Sequence, residues 1–324
     1  MAELTTRYMG LQLASPILVG SSGLTYTVDS IQALQEAGAG GVVLKSVFEE
    51  QILIEGDPTG KEVGFHAEGA DYFAAYTREY HITHYLELIE TVKAKVAIPV
   101  IASINCMTLS EWTTFAKRLE NAGADAIELN YFVLPSDPRT ADMQVEQTLF
   151  DIVRHVLRDV KIPVSVKLSP YFSNLASTLQ SLERTGVRGI VLFNRFYQPD
   201  IDINKMALVE GDPFSNPSDA GTTLRWIAIA AGIVGCDLAA SRGVHDGETA
   251  IKMLLAGASV VQMVSTVYKN KVGIIGKANA AISKWMDGQG FKRTDDFRGK
   301  LKQDAVSNPA FYERVQFLKH YGRM

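Results

Sequence analysis

Eight short runs of apolar and β-branched residues punctuate the chain: "PILVGS" at 16–21, "GVVLKS" at 41–46, "PVIASI" at 99–104, "AIELNY" at 126–131, "VSVKLS" at 164–169, "GIVLFN" at 189–194, "DLAASR" at 237–242 and "VVQMVS" at 260–265. Between them lie stretches with helical apolar spacing, such as "DSIQALQEAGA", "LSEWTTFAKRLENAGA" and "DGETAIKMLLAGA". All three of these end in Ala-Gly-Ala, where a glycine in the left-handed C-cap conformation ends a helix at little cost. Strands that are apolar on both faces belong to parallel sheets covered by helices, and eight strand–helix units predict a closed α/β barrel of the (β/α)8 type. The alternative is a doubly wound open sheet. That fold calls for a Gly-x-Gly-x-x-Gly turn after the first strand, and "GSSGLTYT" is not one. At 324 residues and 47% apolar the chain can bury a large core. With no linker and no repeat beyond the strand–helix unit, a single domain over 1–324 is expected.

Charge narrows the partners. Lysines and arginines are scattered and the net charge is −4, so neither a nucleic-acid stripe nor a polybasic membrane anchor is expected. No apolar run approaches the roughly 18 residues that span a bilayer, and "MAELTTRYMG" lacks the layout of a secretion signal, so a cytoplasmic location and a small ligand are expected. Cys106 and Cys236 lack Cys-x-x-Cys spacing and read as small buried apolar residues, with no zinc site or disulfide framework.

Irregular length is concentrated at 47–80, 132–141 and 195–219, after the second, fourth and sixth strands. In a barrel those loops open on the C-terminal face, where binding and catalysis occur. Polar residues cluster at the same ends: Ser21-Ser22-Gly23, Lys45-Ser46, Ser103 and Asn105, Glu128 and Asn130, Lys167 and Ser169, Asn194-Arg195, Ser241-Arg242-Gly243, and Ser265-Thr266. A lone Ser or Asn there can equally cap the next helix. Lys45 and Lys167 interrupt apolar runs, where an unpaired ammonium is too costly to bury, so each calls for an acceptor at the mouth; Glu128 either shares a face with Asn130 or pairs with a lysine. Lysines, asparagines and hydroxyls on one mouth suit a planar anionic ligand better than a metal. "SRGVHDGETA", with a helix opening at Asp246, and "QMVSTVYKN" give the last two strands the layout of a phosphate cradle.

Taken in order, these motifs resemble the dihydroorotate dehydrogenase family. "SPILVGSSG" is similar to its opening NPxxxxSG, Leu44-Lys45-Ser46 to its TKS, Glu128-Leu129-Asn130 to its ELN, and "VKLSP" to its VKLxP. Ser215-Asn216-Pro217 with Leu224-Arg225, Arg242-Gly243-Val244, "GETAIKMLLAGASVVQ" and "DFRGK" follow in the family's order. The resemblance implies FMN, held by Ser22, Gly23, Lys45, Ser46, Asn130, Lys167, Gly243 and Ser265, with Lys167 stabilising reduced flavin and Lys45 between flavin and substrate. It implies oxidation of dihydroorotate to orotate in pyrimidine biosynthesis, Asn130 and Asn194 binding the orotate-like substrate, and a homodimer; Arg195, which departs from the family's small residue, is expected to bind the same substrate through its charge. An electron-transfer partner protein is expected where NAD is the acceptor; a first strand beginning at residue 16 disfavours the quinone-linked type with its extra N-terminal helix.

The family's base, a Cys or Ser in NxSCPN, is missing: Val133 or Leu134 takes its place, leaving Ser136, Asp137 and Tyr131 as candidates, with His66 in the loop after the second strand. Guanidiniums at Arg195 and Arg242 replace small residues and suit a carboxylate or phosphate. Two other functions compete with a flavin dehydrogenase of displaced base or altered substrate. One is a degenerate FMN-binding or electron-transfer subunit; the other is a flavin-free phosphate-binding barrel with a Schiff-base lysine.

Overall fold

The computed structural model describes residues 2–48, 82–105 and 109–314. The chain opens with an antiparallel hairpin, β1 (Thr6–Tyr8) and β2 (Leu11–Leu13), turned by Met9 and Gly10 at φ 55° and 82°. Positive φ at both central residues matches the right-handed twist of the strands that they join.

Parallel strands follow: β3 (Ile17–Val19), β4 (Gly41–Val43), its short continuation β5 (Val47–Phe48), β6 (Val100–Asn105), β7 (Ala126–Asn130), β8 (Val164–Leu168) and β9 (Gly189–Leu192). After β9 comes an antiparallel hairpin, β10 (Pro199–Asp202) with β11 (Ala207–Glu210), and then β12 (Asp237–Ser241) and β13 (Val260–Met263) complete the set. β3 pairs with β4 and β13, and β4 with β6, which closes β3, β4, β6, β7, β8, β9, β12 and β13 into one ring. This is an eight-stranded parallel barrel with interleaved helices, a TIM barrel. Each apolar run of the sequence coincides with one of these strands, most of them trimmed at the C-terminal end where polar residues leave the ladder, while β6 runs on through Asn105.

Period two splits every strand between two cores. Leu18, Val43, Ile101, Ala126, Val191, Ala239 and Val260 point inward and pack on Tyr8, Met9 and Leu13, so the opening hairpin plugs the floor. Alternate residues such as Ile17, Val42, Val100 and Ile127 pack outward against the helices. Asp237 locks the plug, accepting from Met9 N at 2.7 Å and from Ser259 Oγ at 2.7 Å. The Ala-Gly-Ala glycines, Gly38, Gly123 and Gly257, sit at φ 93°, 96° and 121°, each just past a helix. Asp246 caps the helix Gly247–Ala256 by accepting from Thr249 N at 2.7 Å. Among the described residues, no helix is long and apolar enough to cross a membrane.

The segment 195–219, read from sequence as irregular, carries the β10–β11 hairpin. Asp202 Oδ1 accepts from Asn204 N at 2.9 Å and Lys205 N at 3.0 Å and so sets its turn. Both strands are largely exposed, so no apolar run announced them.

Candidate active site

The C-terminal ends of β8, β9, β12 and β13 surround a cavity whose wall includes Lys167, Asn194, Arg195, Ser215, Arg242, Gly243 and Ser265. Three lining residues are cationic and none is acidic, so the cavity favours an anion. Among the described residues no cluster of three His, Cys, Asp or Glu could hold a metal ion.

One wall is a buried polar triad contributed by three strands. Lys167 Nζ donates to Gln262 Oε1 at 2.8 Å, Gln262 Nε2 donates to Glu128 Oε2 at 2.6 Å, and the ammonium lies 3.6 Å from Glu128 Oε1. Glu128, Gln262 and Lys167 are only 1%, 3% and 7% exposed, and the charges make the arrangement tolerable by compensating each other. An ammonium carries three N–H donors, and one of Lys167's has a hydrogen-bond partner among the described residues. The others can serve a ligand.

A chain of hydroxyls continues around the barrel. Ser21 Oγ lies 3.0 Å from Ser46 Oγ, which lies 2.7 Å from the buried Ser103 Oγ. Tyr85 fastens the end of this chain: its hydroxyl accepts from Ser103 N at 3.0 Å and donates to Ser103 O at 3.3 Å. Burial pushes the Tyr85 phenol well above its ordinary range, so it stays protonated.

The far end of the cavity is made by the loops after β9, β12 and β13. Arg242 and Gly243 both have positive φ, 80° and 76°. A Cβ on Gly243 would stand 2.2 Å from Ala220 N, so this close approach admits glycine alone. Arg242 Nη2 meets Asp219 Oδ1 at 3.3 Å, while its Nε is buried without a partner. Arg195 Nη2 donates to Asp212 O at 2.7 Å and Gln198 Oε1 at 3.2 Å, its Nε is likewise buried and unpartnered, and it pairs with no described carboxylate. Ser215 N donates to Ser265 Oγ at 2.9 Å, and Ser215 Oγ lies 2.9 Å from His245 Nε2. Burial first, and then the Lys269 ammonium, hold His245 below the usual imidazole range.

The structure thus brings Lys167, Asn194, Arg195, Gly243 and Ser265 to one cavity, with Asn130 joined through a side-chain hydrogen bond from Asn194 and Ser46 joined through Ser21. Ser22 Oγ donates to Gly20 O at 3.2 Å, and Gly23 opens the short turn Gly23–Thr25, where a Cβ would meet Tyr268 OH at 2.8 Å. Lys45 was expected to find an acceptor; its Nζ lies over the Tyr26 ring, 4.8 Å from the centroid. An aromatic face provides negative potential without a carboxylate.

Ser136 and Asp137 are exposed and do not line the cavity. Arg139 grips Asp137 through Nε at 3.0 Å and Nη2 at 2.8 Å, which holds that carboxyl below the usual range. Tyr131 is buried, donates to Val145 O at 2.8 Å, and has its phenol pushed up to about 12 by burial. The rest of the loop is apolar: Phe132 stacks on Phe196 at 4.1 Å, Tyr171 meets Phe196 edge-on at 5.1 Å, and Val133 and Leu134 are exposed. His66 and Cys106 lie outside the described residues. Cys236 is partly buried, and burial pushes its thiol up to about 12.

Gln262, Tyr85 and His245 were not singled out by sequence. Gln262 carried a signal, since it breaks an apolar run as the two lysines do. A groove of about 880 Å³ opens at the opposite end of the barrel, beside Met9, Glu183 and Asp237. Its carboxylates are already engaged, Glu183 with the Gly235 and Cys236 amides and Asp237 with the plug, so size does not make it the site.

The family model described as dihydroorotate dehydrogenase matches residues 3–286. The chain is 27% identical to the dihydroorotate dehydrogenase B (NAD(+)) catalytic subunit of Thermoplasma volcanium, over 92% of this chain and 98% of that protein. It is 28% identical to the protein of the same name from Methanocaldococcus jannaschii, over 82% and 87% of the two chains, and 28% identical to that from Methanosarcina acetivorans, over 87% and 91%. A match across most of the barrel, with the strand-end lysine and loop glycine placed as described, makes this chain a member of the dihydroorotate dehydrogenase family, typically FMN-dependent enzymes of pyrimidine biosynthesis that act on a CH–CH bond.

Proposed function

We propose that the chain binds FMN, oxidises dihydroorotate or a closely similar planar carboxylate, and does so in the cytoplasm as a homodimeric catalytic subunit that passes electrons to a partner protein. The observation that carries this reading is Lys167, buried at a cavity with three cationic and no acidic lining residues and with N–H donors to spare. The residues fit FMN: Lys167 can donate to the polar edge of the ring system, and Gly243, Ser265 and the unpartnered Nε of Arg242 suit a phosphate. The NAD(+) and the partner are carried over from the names of the archaeal relatives.

Bound FMN would supply the hydride acceptor. This chain's own residues bind and orient. Lys167 stabilises negative charge that develops beside it, in a setting too dry for water to screen. Asn130 and Asn194 hold each other's amides at the strand ends and present their remaining polar atoms to substrate. Arg195, whose polar partners are neutral acceptors, clamps the substrate carboxylate. Lys45 adds an ammonium to the mouth. Phe196, next to Arg195 in the chain, is held by its ring contacts with Phe132 and Tyr171.

Proton removal is the weak point. Ser136 and Asp137 are the loop's candidates for proton acceptor, and neither reaches the cavity in this conformation. A carboxylate held low by Arg139 is also a poor base. We therefore assign this chain a slow proton step, lacking much of the roughly 10²–10⁴ in rate that a placed base contributes. A second reading, an FMN-holding electron-transfer subunit without turnover, draws on the apolar Phe132-Val133-Leu134.

Anaerobic mixing of FMN-loaded protein with dihydroorotate separates them. Loss of the oxidised flavin absorbance supports the dehydrogenase, and Ser136→Ala and Asp137→Asn then test the slow proton step: unchanged rates in both uphold it, and a slower rate in either identifies that residue as the base and overturns it. No loss of absorbance, with dithionite-reduced protein still passing electrons to an acceptor, supports the second reading. A protein that binds no FMN removes both.

A further inference from the structure

We propose that Arg242 is a phosphate-binding residue, the side chain that sets how much more tightly this cavity holds a phosphomonoester than the same molecule without its phosphate. The inference rests on the reading of the cavity as a flavin site and names the charge that this chain adds to it.

The backbone is the first observation. Arg242 sits at φ 80°, a region that strains an L residue and is free to glycine. Gly243 at φ 76° already makes the turn, and a second glycine would make it without strain. What the arginine provides instead is a charged side chain on a residue that lines the cavity together with Ser241, Gly243 and Ser265.

The guanidinium itself is only half used. Nη2 reaches Asp219 Oδ1 at 3.3 Å, while Nε is buried without an acceptor. A buried N–H left unpaired carries the full desolvation penalty, and an anion with several oxygens can relieve it through a two-pronged contact. The neighbouring polar group is arranged as a donor too. Ser265 Oγ accepts from Ser215 N, which leaves its own proton free to give.

The competing account is that Arg242 merely staples the loop after β12 to Asp219, at the start of the helix Ala220–Ile233. The two accounts differ in sign. For a staple, Arg242→Gly lowers stability and weakens all ligands together. For a phosphate clamp, Arg242→Gly relieves strain and weakens only ligands that carry a phosphate.

The test uses the full chain stripped of flavin. Binding of FMN and of riboflavin is read by flavin fluorescence, and the thermal midpoint is read with and without inorganic phosphate. Wild type is expected to hold FMN at least about tenfold more tightly than riboflavin, the scale of one charge-assisted hydrogen bond. In Arg242→Gly that ratio collapses while riboflavin affinity is unchanged, the midpoint does not fall, and phosphate no longer raises it. An unchanged FMN-to-riboflavin ratio overturns the proposal, as does a lower midpoint with parallel loss of both flavins. Wild type that binds neither flavin removes the flavin reading instead. In that case the phosphate shift decides Arg242: stabilisation of wild type but not of Arg242→Gly upholds it, and any other pattern rejects it.

Discussion

An ammonium inside a barrel strand survives because Glu128 and Gln262 were placed to meet it, and the pair is worth more broken than counted. Lys167→Met strands a carboxylate that is almost fully buried, so unfolding in urea should show a loss of about 3–5 kcal/mol. Adding Glu128→Gln should recover most of it. A second residue sets a pH dependence. His245 is held below its unfolded value of about 6.5, so between the two values the unfolded chain binds more protons. Stability is then fully present above about 7 and falls as pH drops through that window. His245→Asn should flatten the slope in thermal midpoints taken from about pH 5 to 7.5. At this scale the sequence was readable where a charge interrupts an apolar run, as at Lys167. Gln262 escaped because it is neutral, and the fate of Asp137 escaped because its partner Arg139, two residues on, pairs with it only once the loop has its turn.

The eight strands were legible for the reason that they are stable: each is a buried, mostly apolar run, and three of the helices between them end at the left-handed glycines Gly38, Gly123 and Gly257. The two hairpins were not. β10 and β11 bury almost nothing, and β1–β2 reads as a polar N-terminal stretch until its alternate residues Tyr8 and Leu13 are seen entering the barrel floor. Tyr8 is 1% exposed, so Tyr8→Ala should empty that floor and cost about 3–5 kcal/mol, measurable by denaturant unfolding. Because the plug lies at the end away from the cavity, the affinity of the folded variant for FMN should be unchanged.

For the whole molecule, floor and mouth divide the labour, one holding the ring closed and the other gathering three cationic residues around a cavity with no acidic lining residue. FMN at a free concentration of 100 times its dissociation constant should therefore add about 2.7 kcal/mol to unfolding, read as a raised thermal midpoint, and its removal should reverse the gain. The ring also has a seam, where Val261 and Met263 of β13 lie against Ile17 and Val19 of β3. During synthesis β3 leaves the ribosome early and has no neighbour on that side until the eighth strand follows. For most of its birth the nascent chain thus carries an open, apolar sheet edge, the kind of surface that recruits other chains. A ribosome stalled before Val260 would release a protein that has every described strand but β13 and still cannot close, and its fate would be decided by chaperones and not by the fold.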